Sequence, residues 1–342
     1  MVGVSKEIMQ NNRIVYLDIL KLIATFGVVV LHVYCVGHNS LLLSQNWYIS
    51  VIGNALVRWT VPLFVMISGT LFLDPRKEIS YSNLIKKYEK RLIVSFLFWS
   101  CLYSIIFVAY KLFQREAVDV SQIHLHFHLW FLPMLMGVYL LIPILKSIFT
   151  NQSTCKWVLL VWGGYLLGLR FQDLMIPQIA SLFGRNIIVG FAGYFVLGYY
   201  LSITDFNKKW RYIIYVSGIA GIIEIILGGI LLSIHDGKTN FLFIDYLSIP
   251  VSMTASSLYL FIKYNSQNVS EYILNFVEAN RKCFFGIYLV HPLWLAAFNN
   301  SLFRDFTTQY LSLPIISVIV FTLSLLLSKL ILSVPLLSKT IE

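Results

Sequence analysis

Apolar stretches bounded by polar clusters recur ten times along the chain. They run approximately over residues 14–36, 47–73, 92–113, 127–149, 155–170, 187–203, 212–234, 242–263, 283–303 and 312–336. Most are about twenty residues long, which as a helix crosses a hydrocarbon core about 30 Å thick. In lipid an open strand leaves backbone groups without partners, and no period-two barrel pattern runs through these segments, so helix is the expected state of each. The pattern predicts an all-α polytopic membrane protein, a bundle of about ten transmembrane helices in a single domain over residues 1–342. The fifth segment is the shortest, since Trp157 to Leu169 gives 13 uninterrupted residues before Arg170.

Composition removes the competing classes. At 342 residues the chain would make two soluble domains, but 58% of it is apolar and 12% charged, about half the charge of a soluble domain. That mixture cannot cover a globular surface. It excludes a nucleic-acid-binding domain, a disulfide-framed secreted module and a disordered tail. Cys35, Cys101, Cys155 and Cys283 lie far apart with no C-x-x-C pair, which argues against zinc, iron–sulfur or redox chemistry. Lys6 and Arg13 precede the first run as in a signal peptide. That run is too long for a signal segment and contains Asp18 and Lys21, so it reads as an uncleaved first span.

The net charge of +10 is topological information. With ten spans and a cytoplasmic N-terminus, 17 of the 26 Lys and Arg fall in cytoplasmic segments, and five (Arg115, Arg170, Arg185, Lys238, Arg304) fall outside. Deleting the fifth span would carry Lys208, Lys209 and Arg211 to the outer face, against the positive-inside rule. Both termini are therefore expected in the cytoplasm of a bacterial inner membrane. The largest cytoplasmic segment, DPRKEISYSNLIKKYEKR from Asp74 to Arg91, ends in Lys86, Lys87, Lys90 and Arg91. A basic run there suits anionic membrane lipids; it equally suits an anionic cytoplasmic ligand such as a nucleotide phosphate.

Ionisable side chains at bilayer depth are costly and mark function by default. The first span carries Asp18, Lys21 and His32. At about 100° per residue, Lys21 and His32 differ by about 20° around the axis, and Asp18 lies within about 60° of both. All three, with Thr25, share one stripe, and about 16 Å of helix separates Lys21 from His32. Asp18 could simply neutralise Lys21 one turn on. That leaves His32 unexplained, and an imidazole suits proton transfer.

Arg58 interrupts the second span, either packed on a carbonyl or paired with a carboxylate such as Glu224 of the seventh. His291 lies in GIYLVHPLW, where Pro292 loosens the local helix hydrogen bonding; it is either a satisfied core histidine or a site residue. HLHFHLW places His124, His126 and His128 on one side only if extended. No carboxylate joins them, so no metal is expected. His128, beside Trp130 at the outer mouth of the fourth span, suits a sugar instead.

Four stretches, YLDILKLIATFGVVVLH, RWTVPLFVMISGTLFL, HLWFLPMLMGVYLLIPIL and FFGIYLVHPL, resemble in order and spacing the acyltransferase family 3 of integral membrane O-acyltransferases. The likeness covers nearly the whole chain. It implies about ten helices, a cytoplasmic acyl-coenzyme A donor and a carbohydrate acceptor. His32 falls on the family's catalytic histidine. Lys21 falls where most members carry Arg, which keeps the charge and loses bidentate phosphate geometry. The HLWFL form resembles acetyltransferases of surface polysaccharides, which makes acetyl-coenzyme A (acetyl-CoA) the expected donor.

The expected catalytic residues are His32 as base, Asp18 orienting Lys21, and Arg58 stabilising oxyanion charge. Lys21, Lys87, Lys90 and Arg91 are expected to hold the donor, and Ser68, His128, Trp130 and His291 the acceptor. The rivals are a transporter or flippase for such glycans, and a sensor that has lost catalysis. Midplane charges fit a transporter equally well, but a carrier needs no histidine aligned above a basic residue, and no inverted repeat is visible.

Overall fold

The computed structural model describes residues 9–10, 13–35, 40–116, 126–148, 152–175, 186–298 and 312–341. Apart from a two-residue antiparallel pair, Met9–Gln10 with Arg13–Ile14, the described residues form helices and their connections. The protein is an all-α polytopic membrane protein. The helices are α1 (Val15–Tyr34), α2 (Gln45–Val57), α3 (Thr60–Phe72), α4 (Lys90–Phe113), α5 (Phe131–Leu140), α6 (Ile142–Ile148) and α7 (Gln152–Met175). Then follow α8 (Ile187–Ile203), α9 (Lys208–Asp236), α10 (Ile249–Asn265), α11 (Glu271–Asn280), α12 (Phe284–Phe298) and α13 (Ser312–Ser333).

Each of the ten expected segments overlaps a described helix or helix pair. Taking Gln45–Phe72 and Tyr81–Phe113 as continuous, five described helices are long and apolar enough to cross a membrane, and the bent pair α5–α6 makes a sixth. The two breaks have a common cause. Pro62 has no N–H to give the carbonyl of Arg58, four residues back, and the chain turns at Arg58–Trp59 between α2 and α3. Pro143 does the same to Tyr139, and α5 and α6 meet at 45°.

The seventh helix extends well beyond 155–170, because Arg170 is accommodated within the protein. Its guanidinium lies 3.6 Å over the Phe243 ring and 3.6 Å from the Glu224 carboxylate. α4 is preceded by a turn at Tyr81–Asn83 and a π-helical stretch at Leu84–Glu89 that make one rod with it. The amphipathic α11, with Val277 buried and Tyr272 exposed, lies outside the ten segments. Local caps agree with the boundaries: Asn186 and Asn207 each accept from the backbone N–H three residues on. Gly237 closes α9 in the left-handed conformation at φ 64°.

α1 sits at the centre of the bundle, packed on α2, α3, α10, α12 and α13. A buried chain of hydroxyls ties three of these helices together. Tyr16 meets Tyr259 at 3.2 Å, and Tyr259 meets Thr70 at 2.8 Å. α3 and α8 approach backbone to backbone, as small residues permit in membranes. A Cβ at Gly69 would stand 1.8 Å from the Phe195 carbonyl oxygen, and one at Gly198 would stand 2.0 Å from that of Met66. Gly69→Ala or Gly198→Ala should therefore cost about 1–3 kcal/mol of overpacking and lower the melting temperature in detergent. Gly163→Ala, where a Cβ meets nothing within 4 Å, should not. Equal melting temperatures for all three variants would contradict this packing.

Candidate active site

The stripe on α1 is present as the periodicity requires, and it faces two different environments. Near the N-terminal end, Lys21 Nζ lies 2.8 Å from Asp18 Oδ1, with both side chains part-buried. Thr25 returns its hydroxyl to the Lys21 carbonyl at 2.7 Å. Lys21 also lines a cavity of about 350 Å³ enclosed by α1, α3, α5 and α12 together with the start of α4. At one end stand Lys77, Arg91 and Arg281; the walls are Phe64, Phe72, Leu135, Phe131 and Tyr288. Ser68 sits in this wall and accepts from the Tyr139 hydroxyl at 3.3 Å.

The cationic end is held by structure. Arg91 stacks on Phe285 at 5.0 Å, and Lys77 lies 5.0 Å over Phe72 and 5.7 Å over Tyr88. The loop that carries Lys77 is pinned by Lys146, whose ammonium donates to the carbonyls of Asp74 and Lys77. Burial pushes the Asp74 carboxyl up, but hydrogen bonds and charge from Arg76 outweigh it and hold the group below its ordinary range. Of the basic run, Arg91 alone lines the cavity. Lys87 and Lys90, exposed like Arg91, are not part of its lining, and Lys87 lies 5.5 Å from the Tyr88 ring. Lys77 and Arg281 complete the cluster instead. Their signal in the sequence was weak, since each lies in a short basic patch beside a span.

The last turn of α1 brings His32 to α12. His32 Nδ1 lies 2.9 Å from His291 Nε2, and the ring planes are 26° apart with centroids at 4.9 Å. His291 is fully buried, and its Nδ1 lies 2.7 Å from the Tyr288 carbonyl and 3.2 Å from that of Ile287. Both ring nitrogens of His291 are thus engaged within the protein, so neither is available to an acceptor. The edge of His32 meets Phe127 at 5.0 Å.

His128 is buried, 5.6 Å from the His291 ring, with no partner for its Nε2. Its Nδ1 lies 2.8 Å from His126 Nδ1. His124 lies outside the described residues. Among the described residues no three His, Cys, Asp or Glu side chains converge as a metal ion would need.

Arg58 takes the first of its two expected arrangements: Nε donates to the Ile244 carbonyl, and Nη1 reaches Asn54 at 3.5 Å. Glu224 is occupied by Arg170. The Arg58 guanidinium lies 3.8 Å over the Tyr246 ring, against which Trp130 packs at 5.7 Å. Arg58, Tyr246 and Trp130 therefore form an aromatic–cationic cluster. Tyr246 was not singled out from sequence, because nothing local distinguishes it among 20 tyrosines.

The helical bundle thus carries a cavity with cationic residues in its lining along one side of α1, and a histidine pair at the end of that helix. Residues 14–333 match the family model described as an acyltransferase domain, acyltransferase family 3, and the chain belongs to that family. It is a membrane acyltransferase. No curated protein and no solved structure matches it.

Proposed function

We propose that the protein transfers an acyl group, acetyl by the HLWFL resemblance, from cytoplasmic acyl-coenzyme A to a hydroxyl of a cell-envelope polysaccharide or its lipid-linked precursor in a bacterial inner membrane. The observation that carries this reading is the cavity: four cations, Lys21, Lys77, Arg91 and Arg281, line it, and Tyr288, one turn before His291, stands in its wall. Phosphates of the donor belong among those cations, and the pantetheine arm is long enough to cover the rise from Lys21 to His32, about 16 Å.

In the reaction, His32 takes the proton of the acceptor hydroxyl as that oxygen attacks the thioester carbonyl. The C–O bond forms and a tetrahedral oxyanion develops, within reach of the Arg58 charge. Collapse breaks the C–S bond, and the coenzyme A thiolate takes the proton from the His32 imidazolium. The products are an O-acyl ester and free coenzyme A, with His32 regenerated. Trp130 and Tyr246 offer aromatic faces to the sugar from the outer side. Both termini lie in the cytoplasm in this arrangement, as the distribution of Lys and Arg requires.

Accessibility tests it. In inside-out vesicles, Ser68→Cys should react with a membrane-impermeant thiol reagent above the background of the native cysteines, and coenzyme A should protect it. In intact cells Asp236→Cys should react and Asn207→Cys should resist. The reverse labelling, or no protection by coenzyme A, would remove the donor from this cavity.

A further inference from the structure

The His291–Pro292 dipeptide does chemical work that a buried core histidine would not. Pro292 has no N–H, so the carbonyl of Tyr288, four residues earlier in α12, has no donor from the helix ladder. The ring of His291 fills that vacancy, with Nδ1 2.7 Å from the Tyr288 oxygen. A carbonyl oxygen only accepts, so Nδ1 carries the proton, and a neutral imidazole then has its lone pair on Nε2. That Nε2 lies 2.9 Å from His32 Nδ1, which must therefore be the donor. The ring planes are inclined by 26° with centroids 4.9 Å apart, and the two nitrogens stand at hydrogen-bond distance. The Val28 carbonyl, one turn earlier in α1, also interacts with the His32 ring; with Nδ1 as the donor to His291, the lone pair of a neutral His32 lies on Nε2.

We infer that His291 is a positioning residue that, through the carbonyl freed by Pro292, fixes His32 in the tautomer whose Nε2 is basic. The inference deepens the proposed reaction and rests on His32 acting in it. A backbone carbonyl thus selects, through two rings 259 positions apart in sequence, which nitrogen meets the acceptor hydroxyl. Without this chain Nδ1 of His32 loses the ring nitrogen that accepts its proton, and a ring protonated at Nε2 cannot act as base there.

The test reads the tautomer directly and does not depend on activity. The full chain, with ring-¹⁵N histidine, is placed in lipid bilayers, and the His32 resonances are identified by subtraction of a His32→Ala spectrum. The expected result is a single form with Nδ1 protonated and Nε2 unprotonated, lost to a mixture in His291→Leu. A wild-type His32 protonated at Nε2, or a tautomer unchanged in His291→Leu, would overturn the inference even if the protein transfers acyl groups. The expected tautomer in a protein that transfers none would instead count against the proposed reaction.

Kinetics supply the second readout. His291→Leu should lower kcat about ten- to a hundredfold, less than loss of the base itself, with the KM for acetyl-CoA within about twofold of wild type. His291→Gln, whose amide oxygen can accept from His32 Nδ1, should recover most of that loss. Gln no better than Leu would mean that the ring only fills space, and would overturn the inference.

Discussion

His32→Ala should lower the turnover of acyl transfer by about two to four orders of magnitude, the usual contribution of a positioned general base, while coenzyme A still binds. The separation follows from the geometry. His32 occupies the last turn of α1 beside His291, whereas Lys21, Arg91 and Arg281 line the cavity further toward the N-terminal end of that helix. Removing the imidazole therefore touches the reacting hydroxyl and leaves the cationic cluster intact. His126→Ala is the control. Its ring reaches His128, Tyr103 and Phe127 and has no role in the proposed proton transfer, so most activity should survive. Steady-state rates with purified variants, set against equilibrium binding of coenzyme A, check both statements. Comparable activity in His32→Ala and wild type would remove the base from the mechanism.

Lys21→Ala is the variant with the next largest expected effect, and its interpretation turns on two contacts made at once. Lys21 pairs with Asp18 at 2.8 Å and also lines the cavity. If its charge serves the donor, the loss of one charge-assisted contact, about 1.5–3 kcal/mol, should weaken acetyl-CoA binding by about ten- to a hundredfold. Acceptor saturation should change less. Lys21→Arg keeps the charge and should be tolerated. If the pair is only structural, Lys21→Ala harms the protein by stranding the Asp18 carboxylate. Asp18→Asn combined with Lys21→Ala should then restore wild-type donor affinity. With Lys21 as a donor ligand, the double variant stays as weak toward acetyl-CoA as Lys21→Ala alone. Recovery of donor affinity would end the ligand role of Lys21.

Much of this arrangement was legible along the chain because each piece of it is local. Apolar runs fixed in length by the bilayer locate the helices, and a 3.6-residue period puts Asp18, Lys21 and His32 on one stripe of α1. The helix breaks at Arg58–Trp59 and Leu141 are also local, since each follows from a proline four residues or fewer downstream, but an apolar run reads straight through them.

What periodicity cannot carry is lateral order. That α12 lies against α1, so that His291 meets His32, depends on packing between segments 259 residues apart. The same holds for the cationic cluster. Arg91 was accessible to sequence reasoning as the end of a basic run. Lys87 and Lys90 belong to that run by composition but do not line the cavity, and Lys77 and Arg281 arrive from a loop and from the turn before α12. The two arrangements open to Arg58 differ by which neighbour comes near, and Glu224 was taken by Arg170, a residue from another helix.

The decisive measurement is acetyl transfer by the purified full-length protein in lipid nanodiscs, supplied with labelled acetyl-CoA and envelope glycan or its lipid-linked precursor. Release of free coenzyme A and appearance of label in ester linkage on the glycan are followed together. A His32-based acyltransferase should show acceptor-dependent release, one coenzyme A for each ester formed, that falls to background with His32→Ala. Glycan movement across the membrane without coenzyme A release, or equal transfer by wild type and His32→Ala, would contradict that mechanism.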